Sequence, residues 1–98
     1  MVIRMRIYHS ENANHEKADE VFYKYVKPVH EKYGALFLDR YRDKAGKVVV
    51  MWQYESEEDM LRIQEAAAND ENTKKYKDKR VRNGLHGFKF VEYILHPA

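Results

Sequence analysis

Five histidines, eight tyrosines and a single tryptophan are the chemically distinctive side chains of this sequence. His9 closes the alternating stretch "VIRMRIYH". An imidazole there titrates near neutral pH and can serve as an acid or a base; a solvated strand end is the plainer alternative. Trp52 and Tyr54 stand two positions apart in "KVVVMWQYES" and so share one side of a strand. Such a pair can line a pocket for a flat organic ligand, or it can be ordinary core. Tyr25, on the apolar stripe of a helix, joins them. The candidate catalytic residues are thus His9 and Tyr54, and the candidate ligand-binding residues are Trp52, Tyr54, His9 and Tyr25. His96 near the other end is open to the same two readings as His9. His15-Glu16 and His30-Glu31 pair potential metal ligands, but neither spacing brings three groups together. No metal and no cofactor are expected.

Two stretches raise nucleic acid. "HGFKFVEY", His86 to Tyr93, imitates the aromatic octamer of RNA-recognition domains. Lys89 fills the place that needs a small residue, however, and the stretch lies on the last strand, where those domains carry theirs on the third. An aromatic, β-branched strand after a glycine imitates the octamer by chance. "NTKKYKDKRVR", Asn72 to Arg82, is strongly basic and reads as a solvated helix face. Nucleic acid is therefore not the expected partner.

Composition narrows the classes further. The chain has 98 residues, enough for a single domain with one core, and a net charge of +2. There is no cysteine, which excludes disulfides, thiol catalysis and thiolate metal sites and fits a reducing compartment. No apolar run approaches a membrane span, and "MVIRMRIYHS" carries charges where a signal peptide is apolar. A cytoplasmic protein without a membrane association is expected. No nucleophile elbow, glycine-rich phosphate loop or paired-carboxylate motif occurs.

Positioning these residues requires six elements. Val2 to His9 alternates with period two, with Ile3, Met5 and Ile7 on one side and Arg4, Arg6 and Tyr8 on the other. From about Asn14 to Tyr33, apolar residues recur at three- and four-residue steps, as in an amphipathic helix. Asn12 or Asn14 can cap it, Pro28 should kink it or begin a last irregular turn, and Gly34 should end it. "ALFLDRYRD" and "KVVVMWQYES" form a hairpin turning at Gly46. "SEED", Ser56 to Asp59, opens a helix bearing Met60, Leu61, Ile63, Ala67 and Ala68. Asn69 and Asp70 separate it from a second helical piece, Asn72 to Arg82, anchored by Tyr76 and stopped at Asn83-Gly84. The last strand runs from Phe88 to Leu95.

The order βαββαβ predicts an α+β, ferredoxin-like domain: a four-stranded antiparallel sheet with its helices on one face. The other face then needs a cover. The last strand is apolar on both sides, with Phe88, Phe90 and Ile94 on one and Val91, Tyr93 and Leu95 on the other, as in strands buried on both faces. A second copy is the simplest cover. With Ile3, Met5 and Ile7 under the helices, Arg4, Arg6 and Tyr8 would join Met51 on the outer face, and Glu92 is the natural partner of the arginines. Arg4, Arg6, Tyr8, Met51 and Glu92 are therefore the candidate dimer-interface residues. The arginines and Glu92 can instead bind an anionic substrate.

The chain resembles the NIPSNAP-like proteins of the dimeric α+β barrel superfamily, the group that includes the antibiotic biosynthesis monooxygenase-like proteins. The likeness is concentrated in Val48 to Tyr76, where Trp52, Tyr54, Glu55, Ser56 and Asp70 match in order; Arg6 and Tyr8 fit the first strand. The resemblance implies a homodimer with a small-molecule pocket between sheet and helices. It leaves activity open, since related barrels include cofactor-free monooxygenases, haem-degrading monooxygenases and lactone isomerases. Against haem degradation, Tyr54 stands where those enzymes carry Trp, and no histidine lies between Val48 and Leu85. Three readings remain: a small dimeric module binding an organic molecule, a cofactor-free monooxygenase or isomerase, and a nucleic-acid-binding module.

Overall fold

The computed structural model describes residues 1–9, 15–82 and 89–98. The expected caps at Asn12 or Asn14, the stop at Asn83-Gly84 and the first residues of the octamer, His86 to Phe88, lie outside the described residues. The elements are β1 (Val2–His9), α1 (His15–Val21), a π-helical turn (Phe22–Val26), α2 (Lys27–Lys32), β2 (Leu36–Arg42), β3 (Val48–Tyr54), α3 (Glu57–Ala68), α4 (Glu71–Arg82) and β4 (Lys89–Leu95). The strands form one antiparallel sheet in the order β2-β3-β1-β4. This is the expected α+β, ferredoxin-like arrangement. No described helix is long and apolar enough to cross a membrane.

Local chemistry accounts for the boundaries. Gly34 and Gly46 take φ of 110° and 88°, the left-handed region where a side chain is strained. Gly46 turns the hairpin, while the Asp43 carboxylate accepts from the N–H groups of Ala45 and Lys47 at 3.0 and 2.8 Å. Ser56 caps α3, its hydroxyl accepting from the Asp59 N–H at 3.0 Å. Asp70 receives Tyr33 Oη at 2.6 Å, Lys32 Nζ at 3.0 Å and the Asn72 N–H at 2.9 Å, tying the end of α2 to the start of α4. The core lies between Val48, Val50, Trp52 and Tyr54 of β3 and Phe22, Met60 and Ile63 of the helices.

Two irregularities decide which side chains face that core. The first helix is not a kinked α-helix but two α segments joined by a π turn, in which the Lys27 N–H reaches back to the Phe22 carbonyl. Pro28 follows directly and has no N–H to give the preceding turn, which favours the wider ring there. In β2 the register slips at Leu38, so that Phe37 pairs with Trp52 while Arg40 pairs with Val50. This bulge brings Phe37, Arg40 and Arg42 to the same face.

The two sides of β1 are the reverse of the expectation. Directly paired residues share a face, and Val2, Arg4, Arg6 and Tyr8 pair with Tyr54, Trp52, Val50 and Val48, the row beneath the helices. Arg4, Arg6 and Tyr8, together with Glu92 opposite Arg6, therefore lie on the helix side and not on the outer face. The reason is that the long arginine stems pack as apolar surface. The Arg4 guanidinium lies 5.7 Å from the centre of the Tyr54 ring and that of Arg6 lies 4.5 Å from the Phe90 ring. Ile3, Met5 and Ile7 take the open face, with Val49, Met51 and Gln53 on one flank and Val91, Tyr93 and Leu95 on the other. Of the five proposed interface residues only Met51 is on that face.

Candidate functional site

Between the sheet and the helices lies a cavity of about 190 Å³. Its floor is Arg4, Arg6 and Tyr8 of β1 with Val48, Val50 and Trp52 of β3. Its roof is one line of side chains from the first helix: Ala18, Phe22, Val26 and His30. An α-helix turns about 100° per residue, so His30, twelve positions after Ala18, would sit about 120° away from it on an unbroken helix. The π turn absorbs about one extra residue and returns most of that rotation, bringing His30 over the cavity. Arg40 and Arg42 close one side and Tyr76 of α4 another. A second depression of about 150 Å³, bounded by Gln64, Ala67 and Lys77, shares Arg4, Arg6, His30 and Tyr76 with the first. The arginines of β1 thus stand where the two meet.

The aromatic wall centres on Trp52, only 2% exposed. Its ring lies 5.2 Å from His30, 5.3 Å from Phe37 and 6.3 Å from Phe22. Beside it runs the cationic wall, with Arg4 paired directly to Trp52 across the sheet and Arg40 over the Phe22 ring at 4.8 Å. Arg6 Nε–H donates to Glu92 Oε1 at 2.7 Å. Arg42 meets Asp19 at 2.7 Å, and Arg40 donates to the same carboxylate. Arg4 is 4% exposed, reaches Glu92 only at 4.0 Å and keeps a buried Nε without a hydrogen-bond partner. Burial pushes its guanidinium below the ordinary value, yet an arginine remains cationic in water at any working pH. Burial, and then Arg4 and Arg6, push His30 down to about 4, and its Nδ1 has no partner. At neutral pH it is an uncharged imidazole able to accept a proton or a hydrogen bond.

The sequence-derived candidates divide. Trp52 lines the cavity. Tyr54 lies next along the same row, 1% exposed, with an unpartnered hydroxyl whose pKa burial raises, and is not part of the lining. His9 is exposed at the end of β1 and falls on the other side of the strand from Arg4. Tyr25 does not line the cavity and stacks under Lys24 at 5.5 Å; the π turn carries it off the stripe that an unbroken helix would give. His96 pairs with Glu57 at 3.2 Å, away from the cavity. His30, Phe22, Arg40 and Tyr76 are the lining residues that periodicity did not select as a site. The signal that finds His30 is Pro28, provided the helix before it is read as widened rather than bent. Among the described residues, no three histidine or acidic side chains gather as metal ligands.

No protein-family model and no curated protein matches the sequence. Solved structures do match. An uncharacterised NIPSNAP domain protein of Burkholderia xenovorans superposes with a TM-score of 0.80 at 19% identity, over 100% of this chain and 95% of that one. A NIPSNAP family protein of Agrobacterium tumefaciens gives 0.81 at 15% identity, over 99% and 92%. A provisionally named antibiotic biosynthesis monooxygenase of Deinococcus radiodurans is more distant, with 0.59 at 16% identity over 100% and 95%. The chain therefore has the fold of the NIPSNAP-domain proteins over its whole length and, more distantly, that of the antibiotic biosynthesis monooxygenase-like proteins.

Proposed function

We propose that this protein is a small homodimeric module that binds an organic molecule in the cavity between sheet and helices. The observation that carries the reading is the cavity itself: a tryptophan-centred aromatic wall beside a row of guanidiniums, lined by side chains that a π turn and a β-bulge bring to one face. Concave, largely apolar sites with a few convergent polar groups are where small ligands bind. A thermal-shift screen of small organic compounds tests it, with Val50→Trp as the variant that fills the cavity. Compounds that stabilise the parent and not the variant support the reading. A screen with no stabilising compound, or with stabilisation that survives in the variant, sinks it.

The homodimer is supported by the open face of the sheet. Leu36, Tyr41, Val91, Tyr93 and Leu95 are each more than 40% exposed there and join Ile3, Met5, Val49 and Met51 in a continuous apolar surface. Contiguous patches of this kind seldom face water, and a second sheet of the same kind covers one isologously. Light scattering over a dilution series reads the mass directly; a monomer at every concentration removes the dimer from the proposal. The absence of cysteine supports a cytoplasmic setting.

His30 supports a second reading, cofactor-free monooxygenation or isomerisation. A neutral imidazole with an unpartnered nitrogen beside an aromatic wall can accept a hydrogen bond from a bound phenol, and it strengthens as a base when a bound anion offsets the charges of Arg4 and Arg6. Turnover that disappears in His30→Gln while ligand binding persists is the result this reading requires. The third reading, nucleic-acid binding, would use the basic run Lys74 to Arg82 or the last strand, and steeply salt-dependent retention on DNA or RNA is the result it requires.

A further inference from the structure

The charge around the cavity does not balance. Arg4, Arg6, Arg40 and Arg42 all line it. Among the described residues, their carboxylate partners are Glu92, shared by Arg6 and Arg4, and Asp19, shared by Arg40 and Arg42. Arg4 is the extreme case, because the Glu92 oxygen it approaches at 4.0 Å is already bound by Arg6 at 2.7 Å. A buried cation that is incompletely paired costs stability, and an apolar side chain of similar length would pack there at less cost. What Arg4 offers in return is a guanidinium fork already stripped of water, at the junction of the two depressions. A guanidinium in that state binds a planar oxyanion through two parallel hydrogen bonds.

The rest of the cavity limits the size and shape of that anion. An apolar cavity of about 150 Å³ is sufficient for a benzene ring. The space here, about 190 Å³, holds one ring and a small substituent. Trp52 and Phe22 supply the faces against which a ring packs, and His30 borders both the ring space and the arginines. Among the described residues no glycine lines either depression, so the wall they form lacks the glycine-built backbone cradles typical of phosphate sites. We infer that the pocket is specific for single-ring aromatic carboxylates, with the ring against Trp52 and Phe22 and the carboxylate on Arg4 and Arg6. This rests on the reading of the cavity as an organic-ligand site and adds the charge and size of the ligand. The bound carboxylate supplies the negative charge that Glu92 alone does not, and beside His30, which burial first and then Arg4 and Arg6 hold neutral, it offsets the arginines' share.

Trp52 is the sole tryptophan of the sequence and lies in the wall, so its emission reports occupancy without a label. The full chain is titrated with benzoate, phenylacetate and 4-hydroxybenzoate, with the matching primary amides, and with phenyl phosphate. At least one carboxylate should change the emission saturably and bind about tenfold or more tightly than its amide, the size of one charge-assisted hydrogen bond. Arg4→Met should abolish that preference and raise the thermal midpoint of the ligand-free protein by about 4 °C or more. A merely structural arginine would lower the midpoint instead, and that result overturns the assignment of Arg4. Equal binding of carboxylate and amide overturns the anion inference while leaving the cavity a ligand site. Phenyl phosphate binding more tightly than every carboxylate replaces the carboxylate with a phosphate monoester. No response to any compound removes the inference together with the reading beneath it. Should Arg4→Met fail to fold, the comparison of acid with amide in the parent still decides.

Discussion

On the helix side of the sheet, Arg4 and Arg6 lie beside Trp52, Tyr54 and Glu92; on the open side, Ile3, Met5 and Ile7 lie beside Val49, Met51 and Tyr93. The charged row is the enclosed one and the apolar row is the one left outside. Hydrophobicity therefore does not tell which side of this strand is the core. Arginine stems serve as packing on the helix side because aromatic rings and a carboxylate receive their ends. The open side has no such groups, and its apolar row is what the second copy in the proposed dimer would cover. The helix side contributes stability within one chain, and on that proposal the open side contributes it through association.

The sharpest way to break that comparison is to remove one large ring from each side. Trp52→Ala empties the floor of the core and should cost about 3–5 kcal/mol of unfolding free energy, independent of protein concentration. Tyr93→Ala, at 47% exposure, should cost far less in dilute solution and, on the proposed dimer, progressively more as concentration rises, because there its loss falls on the interface. Denaturant unfolding at two concentrations separates them. Equal, concentration-independent losses at the two sites would mean that the faces do not differ in the way described.

A pH titration sharpens the helix side. His30 has a folded-state pKa of about 4 against an ordinary 6.5. Between those values the unfolded chain binds the proton that the folded chain refuses, so stability is full above 6.5 and declines as pH falls towards 4. The gap corresponds to about 3 kcal/mol at most. His30→Leu should flatten this slope; an unchanged slope would place the imidazole in water. Smaller again is Glu92→Gln, which leaves Arg6 and Arg4 without their carboxylate. Half-exposed pairs are partly screened, so the expected loss is about 1–2 kcal/mol. The same loss should vanish when Glu92→Gln is made in the Arg4→Met, Arg6→Met background.

The order of elements, both positive-φ glycines, the Ser56 cap and the inward row of β3 could be read from the sequence, because each depends on neighbours within a few residues. The pairing of Arg6 with Glu92 was legible too, since the topology sets β4 beside β1. The site was mostly not. Trp52 was found because period two holds along β3. His30 was missed because a π turn changes the helical period between residues 22 and 26, and Tyr25 was chosen for the same reason. Arg40 depends on the bulge at Leu38, which inverts the alternation of β2 after Phe37. His9 shares the parity of Ile3, Met5 and Ile7, the row expected under the helices, and moves with that row to the open side. The inversion of β1 itself follows from assigning the apolar row to the helices, a rule that fails where arginine stems pack as apolar surface.

The smallest effect is expected away from both faces. Asp70 joins α2 to α4, and hydrogen bonds from Tyr33, Lys32 and the Asn72 N–H hold its carboxyl at about 2, below the ordinary 3.8. A carboxyl held low in the folded state contributes stability that is complete above the unfolded value and is lost as pH falls through the folded one. The window is therefore pH 4 to 2, below that of His30, and the two can be resolved in one series of thermal midpoints. Asp70→Asn should shrink the lower step, to which Asp19 and Asp39 also contribute, and leave the upper one intact, because neither His30 nor the arginines of β1 are among its partners. It should also leave the dilution behaviour of the open face unchanged. A variant that lost both pH steps would show that the α2–α4 tie positions His30 over the cavity, and the helix side of the sheet would then extend, as a functional unit, to the far end of the helices.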